Sequence, residues 1–413
     1  MSDFDVVVVG GGPAGLMAAA ESAHRGRRTL LLEKNREPGI KILISGGTRC
    51  NLTHATDARG IVEAFGPNGR FLHSALAALG PRQVVELFES EGMPTRTDPD
   101  GKVFPASDRA SDVRAVLVRR LRHSGAELAT NEPVLEIARN ENGFRLQTAR
   151  RTISTDRLVL TTGGQSYPAC GTNGDGFRWA ASLGHTIVAL HTALVPLTSH
   201  ARWVLDLQGI ALQDVWVEVV NREAERKFKS LSRRRGAMLF THFGVSGPAP
   251  MDVSHAVSGE ADPSQLVLRC DLLPEMSESQ LDVQLAEVCV ASGRRRAWTL
   301  LDGWLPHRLG ETLTTLAKIS PDRNAAELSK AERRRLVGLA KRLDVPLSGT
   351  MGFRKAEVTA GGVSLAEVDS KTMESKLVPG LFFAGEVLDL DGPVGGYNFQ
   401  AAFSTGRLAG RCV

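Results

Sequence analysis

The apolar positions follow two rhythms along the chain. Phe4-Asp5-Val6-Val7-Val8-Val9 is an almost unbroken apolar run, the pattern of a strand covered on both faces. After the glycines at 10–15, Leu16, Ala19, Ala20 and Ala23 recur at helical spacing, and Gly26 stops that helix with His24 and Arg25 at its negative end. Thr29-Leu30-Leu31-Leu32 then reads as a second strand, ending in Glu33. Two more apolar runs lead into glycine, Arg157-Leu158-Val159-Leu160 and Gly380-Leu381-Phe382-Phe383. A last helix carries Phe399, Ala402, Phe403 and Gly406 on one face. In between, residues 200–270 alternate in strand fashion, as in Val215-Trp216-Val217-Glu218-Val219-Val220 and Gln265-Leu266-Val267-Leu268. Residues 276–342 turn helical, with Leu281, Val283, Leu285, Val288, Leu328, Leu336, Leu339 and, just beyond, Leu343 among charges.

The predicted architecture is therefore α/β. A Rossmann-like domain is built from 1–195 and 351–413. It is interrupted by an inserted β-rich domain at 196–275 and 343–350, which carries a helical subdomain at 276–342. The chain has 413 residues and is 42% hydrophobic, ample for such cores. No run of eighteen apolar residues exists to span a membrane, and no charged n-region precedes the first strand as a secretion signal would require. Cysteines at 50, 170, 270, 289 and 412 form no C-x-x-C pair, which argues against a disulfide framework or a metal site and for a reducing, cytoplasmic setting. The net charge is +4. Basic clusters at Arg222 to Arg235, Arg294 to Arg296 and Arg333 to Arg335 have acidic neighbours and read as solvated faces, so the sequence argues against a nucleic-acid partner. Oligomeric state is not legible.

The 42 glycines are unevenly used, gathering at 10–15, 39–47, 163–176, 361–362 and 385–396. Gly10-Gly11-Gly12-Pro13-Ala14-Gly15 satisfies G-x-G-x-x-G between a strand and a helix. Gly10 permits the turn, Gly12 lets backbone N–H groups approach a pyrophosphate at the positive helix end, and Gly15 lets helix and strand close up. Pro13 suits the first helical position, where no N–H is needed. Glu33 lies about twenty residues on, where a carboxylate accepts from both hydroxyls of an adenosine ribose. This is a dinucleotide site, without distinguishing FAD from NAD.

Three later segments turn the reading to FAD. In Gly39–Thr53, small and polar residues follow the βαβ unit too closely for a new domain; Arg49 suits a phosphate, and Ser45 or Asn51 the polar edges of a flavin. The strand before Thr161-Thr162-Gly163-Gly164 ends where chain must cross the adenosine half, and Tyr167 follows. Gly385-Glu386 ends the last strand, with Glu386 suited to a ribityl hydroxyl. Asp389, Asp391, Gly395, Gly396, Tyr397 and Asn398 then open the final helix, whose positive end suits the flavin N1–C2=O edge.

Carried together by GGGPAG at 10–15, KILISGGTRCNLTH at 41–54, GKVFP at 101–105, TTGGQSYPACGTNGDG at 161–176, LFTHFGVSGP at 239–248, TAGGV at 359–363 and GLFFAGEVLDLDGPVGGYNFQAAFSTG at 380–406, the chain resembles, nearly end to end, the aminoacetone oxidase-like family of FAD-binding flavoproteins, which also includes reductases of bile-acid dehydroxylation. The resemblance implies a Rossmann-like FAD domain interrupted by a β-rich domain with a helical insertion. The expected cofactor contacts are Gly10, Gly12, Pro13, Ala14, Gly15, Glu33, Lys34, Lys41, Ser45, Gly46, Arg49, Cys50, Asn51, Val134, Thr162, Gly163, Gly164, Tyr167, Gly385, Glu386, Asp391, Gly395, Gly396, Tyr397 and Asn398. Two departures stand out: Thr48 replaces a glycine common in the family, and Thr172-Asn173 a serine-threonine pair.

The implied reaction is hydride transfer at flavin N5 on a small molecule, as an amine oxidase or as a reductase of a C=C or C=O bond. No second strand–GxGxxG–helix unit is present, so NADH or NADPH would serve as a transient electron donor. A non-catalytic or RNA-associated flavoprotein is the alternative class. His242, in Phe240-Thr241-His242-Phe243-Gly244, is the acid–base candidate, against a structural role bonded to backbone. Cys50 is either a thiol facing the flavin or a small packed residue.

Overall fold

The computed structural model describes residues 2–141, 143–221, 230–320 and 322–413. Of the basic cluster that starts at Arg222, residues 222–229 lie outside the described ones. The chain forms two compact units. One comprises the residues up to His191 together with Ala356–Val413; the other is Thr192–Lys355.

In the first unit, β1 (Phe4–Val9) leads into α1 (Pro13–His24) and β2 (Thr29–Leu32). The main sheet runs Glu127–Ala129, β2, β1, Thr152–Leu160, Gly143–Thr148, Val134–Asn140. Its first four strands are parallel and its last two antiparallel. Thr152–Leu160 is long enough to take two partners on one side. Its first half pairs with Phe144–Gln147 and its last three residues with Leu381–Phe383, in parallel. The C-terminal part of the chain thus returns to the middle of the sheet. Val6 to Val9, Leu30 to Leu32, Leu158 to Leu160 and Leu381 to Phe383 are all buried, as strands covered on both faces must be. The carboxyl ends of β1, of Thr152–Leu160 and of Leu381–Phe383 lie side by side, and each runs into a glycine loop. A doubly wound sheet binds its ligand at this edge.

The final helix, Tyr397–Cys412, covers α1. The two approach backbone to backbone: a Cβ on Gly406 would lie 2.3 Å from the Ala14 carbonyl oxygen, and one on Gly410 would lie 2.4 Å from that of Ala18.

The second unit is an antiparallel sheet in the order Leu343–Pro346, Leu266–Asp271, Ala211–Asn221, Ser230–Thr241, Gly244–Ser246, Leu197–Thr198, Gly349–Thr350. Helices Glu278–Ala291, His307–Leu316 and Lys330–Lys341 share one core with it, through Leu281, Leu285, Leu309, Leu313 and Leu336 against Leu268, Cys270 and Leu343. Capping boxes start the first and third helices, at Ser277 with Gln280 and Ser329 with Glu332. Val283 lies in the first of these helices, as read, on its outer face and 57% exposed. One position differs from the helical reading. Leu343 belongs to a strand, because the helix ends at Arg342 and Leu343-Asp344-Val345-Pro346 pairs with Val267–Cys270.

No helix among the described residues is long and apolar enough to cross a membrane. All five cysteines are free thiols.

The helix contact makes a stability prediction. Gly406→Ala places a methyl group into the Ala14 backbone and should cost about 1–3 kcal/mol or more. Gly338→Ala, in open space inside the helix Lys330–Lys341, should stabilise by roughly 0.5–1 kcal/mol. Denaturant melts of the two variants check both signs.

Candidate flavin site

Gly10 turns the chain with φ +106°, and a Cβ there would lie 2.6 Å from the Thr161 carbonyl oxygen. Gly15 is closer still: its Cβ would sit 1.9 Å from the Gly10 carbonyl oxygen. Gly12, by contrast, faces open space, with nothing within 4 Å of a Cβ placed there. It is the N-cap of α1, and Pro13 occupies the first helical turn. The tight glycines therefore hold the loop, and the open one leaves room for a pyrophosphate at the positive end of α1. Ala14 is buried, and a Cβ on Gly385 would come within 2.8 Å of its methyl group.

Glu33 is buried at the end of β2. One carboxylate oxygen accepts from the Gly11 N–H and the other from the Asn35 N–H, both at 2.8 Å. Burial raises its pKa against these two lowering contacts. The carboxylate is thus fixed beside the glycine loop. Lys34 pairs with Asp175 at 2.8 Å. Val134 is buried at the start of its strand, opposite Thr148.

The loop after the βαβ unit is a run of left-handed residues: Gly46, Gly47, Thr48 and Cys50 have φ of 54°, 65°, 70° and 60°. Thr48 occupies a conformation that a β-branched side chain rarely adopts, so the departure from glycine is strained. The Ser45 hydroxyl donates to the Ile42 carbonyl at 2.7 Å. Lys41 pairs with Glu386 at 2.6 Å. Arg49 is placed otherwise than expected for a phosphate ligand. Its guanidinium lies over the Phe104 ring at 4.2 Å and faces Asp98 and Asp108 at 3.8 and 4.0 Å, which leaves its charge matched within the protein. Cys50 is fully buried and its thiol is pushed up to about 12 by burial, which excludes a reactive thiolate. Asn51 is 8% exposed, and its Oδ1 is a buried acceptor without a hydrogen-bond partner among the described residues.

Gly163 has φ +70° and Tyr167 φ +53°. Thr162 follows the end of Thr152–Leu160, beside Gly176, whose Cβ would lie 2.0 Å from the Thr162 hydroxyl. A Cβ on Gly164 would meet the Thr359 hydroxyl at 2.3 Å and Glu386 at 2.9 Å. Glu386 also accepts from the Thr359 N–H at 3.0 Å, so Lys41, Glu386 and Gly164 converge. Asp391 is half-buried. Gly395 and Gly396 are both left-handed (φ 139° and 90°), and a Cβ on Gly396 would stand 2.6 Å from the Asn51 Oδ1. Tyr397 starts the final helix. The Asn398 side chain is turned back on Gly392, accepting from its N–H and donating to its carbonyl, both at 2.8 Å.

Apart from His242, all the expected contacts belong to the first unit. His242 lies in the second, exposed in the turn between Ser230–Thr241 and Gly244–Ser246, its ring edge-on to Phe243 at 5.0 Å. Three hydroxyls escaped the sequence reading. Thr161 donates to the Gly10 carbonyl at 2.8 Å, Thr359 accepts from the N–H groups of Gln165 and Ser166, and Thr405 accepts from the Gly385 N–H at 3.0 Å. Each pins a glycine loop from a distant segment. Thr359 stood inside the quoted TAGGV motif without a role.

These residues fit FAD. The space at Gly12 lies at the start of α1, and the unpartnered Asn51 acceptor lies at the start of the final helix, where a pyrophosphate and a flavin edge would be met. Residues 4–412 match the family described as HI0933-like protein Rossmann domain. The ribosomal RNA dihydrouridine synthase of Escherichia coli K12 is 34% identical over 405 residues, covering 98% of this chain and 96% of that protein. The 3-dehydro-bile acid delta(4,6)-reductase of Clostridium scindens is 31% identical over 410 residues, covering 98% of each. Among solved structures, the 3-ketosteroid delta1-dehydrogenase from Sterolibacterium denitrificans shares the fold, with a TM-score of 0.51 at 15% identity over 98% of both chains. The chain belongs to the HI0933-like family of FAD-binding Rossmann flavoproteins and is an FAD-dependent oxidoreductase.

Proposed function

We propose that the chain is a reductase of a C=C bond conjugated to a carbonyl, with NADH or NADPH as a transient electron donor. The observation that carries this reading is chemical. Two relatives that match almost end to end bear names with unlike substrates, a uridine in RNA and a bile acid, yet the bond reduced is of one kind. In uracil the 5,6 double bond is conjugated to a ring carbonyl. In a 3-oxo-delta(4,6) steroid the diene is conjugated to the 3-carbonyl. Both reductions place a hydride on a carbon remote from the carbonyl along the conjugated system and a proton on a neighbouring carbon.

Bound FAD supplies hydride exchange at N5. The chain does the rest. Gly12 and the start of α1 hold the pyrophosphate, and Glu33 takes the ribose hydroxyls. Glu386, held by Lys41, takes the ribityl chain. Asn51 and the start of the final helix meet the polar edge of the ring, where a positive helix end favours the electron-rich state.

For the substrate, a uracil base in RNA is the first reading. A second rRNA dihydrouridine synthase, from Haemophilus influenzae, is 30% identical over 407 residues. Exposed Arg233 lies over the Trp216 ring at 4.2 Å, with Arg234 exposed beside it, a cationic and aromatic pair of the kind that meets nucleic acid. The steroid-like small molecule is the second reading, favoured by the bile-acid reductase. The free thiols fit a cytoplasmic setting for either.

Anaerobic mixing tests the reaction. NADH or NADPH should bleach the flavin, and colour should return on adding unmodified rRNA or a 3-oxo-delta(4,6) steroid, with a saturated product by mass. Return of colour only with oxygen, together with bleaching by amines, would instead establish an oxidase.

Glu33 gives a pH dependence. Its pKa is raised in the free protein, whereas ribose hydroxyls donate to the charged form. Binding below that raised value must first expel a proton, so FAD affinity should fall as the pH drops through it. Glu33→Gln should weaken FAD binding at pH 7 by about tenfold or more and flatten the pH dependence, as read by titration with FAD.

A further inference from the structure

His54 belongs to one of the most distinctive stretches of the sequence, yet the FAD reading leaves it without a task. Two segments far from it in sequence close around its ring. Its Nδ1 is 3.2 Å from the Gly395 carbonyl oxygen. A carbonyl only accepts, so Nδ1 carries the proton and donates. The ring is stacked on Tyr397, with centroids 4.9 Å apart and planes 19° from parallel. On its other side it needs Gly101, since a Cβ there would lie 2.5 Å from Nε2. Gly101 has φ +84°, and its carbonyl accepts from the Ala55 N–H at 2.7 Å.

The bond to Gly395 has a consequence for the next peptide. Gly395 and Gly396 are both left-handed, and without side chains a Gly–Gly peptide rotates at little cost. Holding the Gly395 carbonyl on His54 fixes that peptide plane. In a trans peptide the C=O and N–H point oppositely, so the Gly396 N–H is aimed away from His54. Gly396 itself packs against Asn51 Oδ1 and the Thr53 carbonyl, so residues 51–54 grip the first turn of the final helix from both glycines. Gly396 is the N-cap of that helix, so its N–H precedes the helical hydrogen-bond ladder. Beside it lies the buried, unpartnered Asn51 acceptor.

We infer that His54 is a positioning residue for the reactive edge of the cofactor: by holding the Gly395–Gly396 peptide it aims the Gly396 N–H, at the start of the final helix, toward that edge. The inference rests on the FAD site and needs no substrate, so it stands or falls apart from the proposed reaction. Donors held on an edge that gains electron density raise the reduction potential.

The test uses FAD-loaded protein, with the two-electron midpoint potential measured by equilibration against a redox dye. His54→Phe keeps an aromatic ring against Tyr397 and removes the donor; His54→Leu removes both. His54→Asn returns an N–H donor. The Phe and Leu variants should lower the reduced-to-oxidised ratio at a given potential tenfold or more, a fall of about 30 mV. His54→Asn should recover at least half of it. If the Phe and Leu variants lose FAD while Asn retains it, the inference is equally supported. An unchanged potential in Phe and Leu, a fall that Asn does not reverse, or loss of FAD from all three would overturn it.

Discussion

Ala14, at the start of α1, is where three distant parts of the chain come within backbone contact. Gly385 arrives from the last strand of the sheet and Gly406 from the final helix, while Gly15 beside it presses on the Gly10 carbonyl. Any side chain at these three glycines would collide with main chain or with the Ala14 methyl group. The close approach brings the final helix onto α1 and carries Leu381–Phe383 into the sheet beside Leu160. Both helix starts and the glycine loops that follow Val9, Leu160 and Phe383 thereby belong to one edge of one sheet. The site is a consequence of this packing.

Electrostatics then divides the polar groups of the first unit into those already matched and those left open. Arg49 is matched by Asp98, Asp108 and the face of Phe104, and Lys34 by Asp175. Lys41 and Glu386 form a largely buried pair, their side chains 23% and 20% exposed, that orders both at the glycine edge. Glu33 is held by two backbone N–H groups in a buried place that opposes its charge. Asn51 Oδ1 is left with its desolvation uncompensated, which costs free energy unless a donor meets it. Open space at Gly12 and an open acceptor at Asn51 are what a flavin dinucleotide resolves.

Much of this was legible in the sequence because it is local. A βαβ unit is written in about thirty consecutive residues, and its strand period, glycine spacing and terminal Glu33 need no tertiary knowledge. The final helix was legible for the same reason, from Gly395-Gly396 and the apolar face that follows. What escaped depends on contacts between segments far apart in the chain. Arg49 reads as a phosphate ligand until Phe104, Asp98 and Asp108 are folded against it. Thr161 just past a strand, Thr359 in a strand and Thr405 in a helix are ordinary residues until each hydroxyl is found holding a glycine loop. Leu343 continues a helical spacing, and only pairing with Cys270 makes it strand. Thr48 announced a departure from the family pattern, but its left-handed backbone is a property of the folded loop.

Whether the glycine edge holds FAD is tested most directly by releasing the cofactor from purified protein, or from protein reconstituted with flavin, and identifying it. The protein should be yellow, yield FAD, intact by mass, in about one-to-one ratio, and lose it when Gly12 is replaced by a bulky residue such as Val. A colourless protein that takes up no FAD, or one that retains FAD equally well as Gly12→Val, would show that the glycine edge does not hold it.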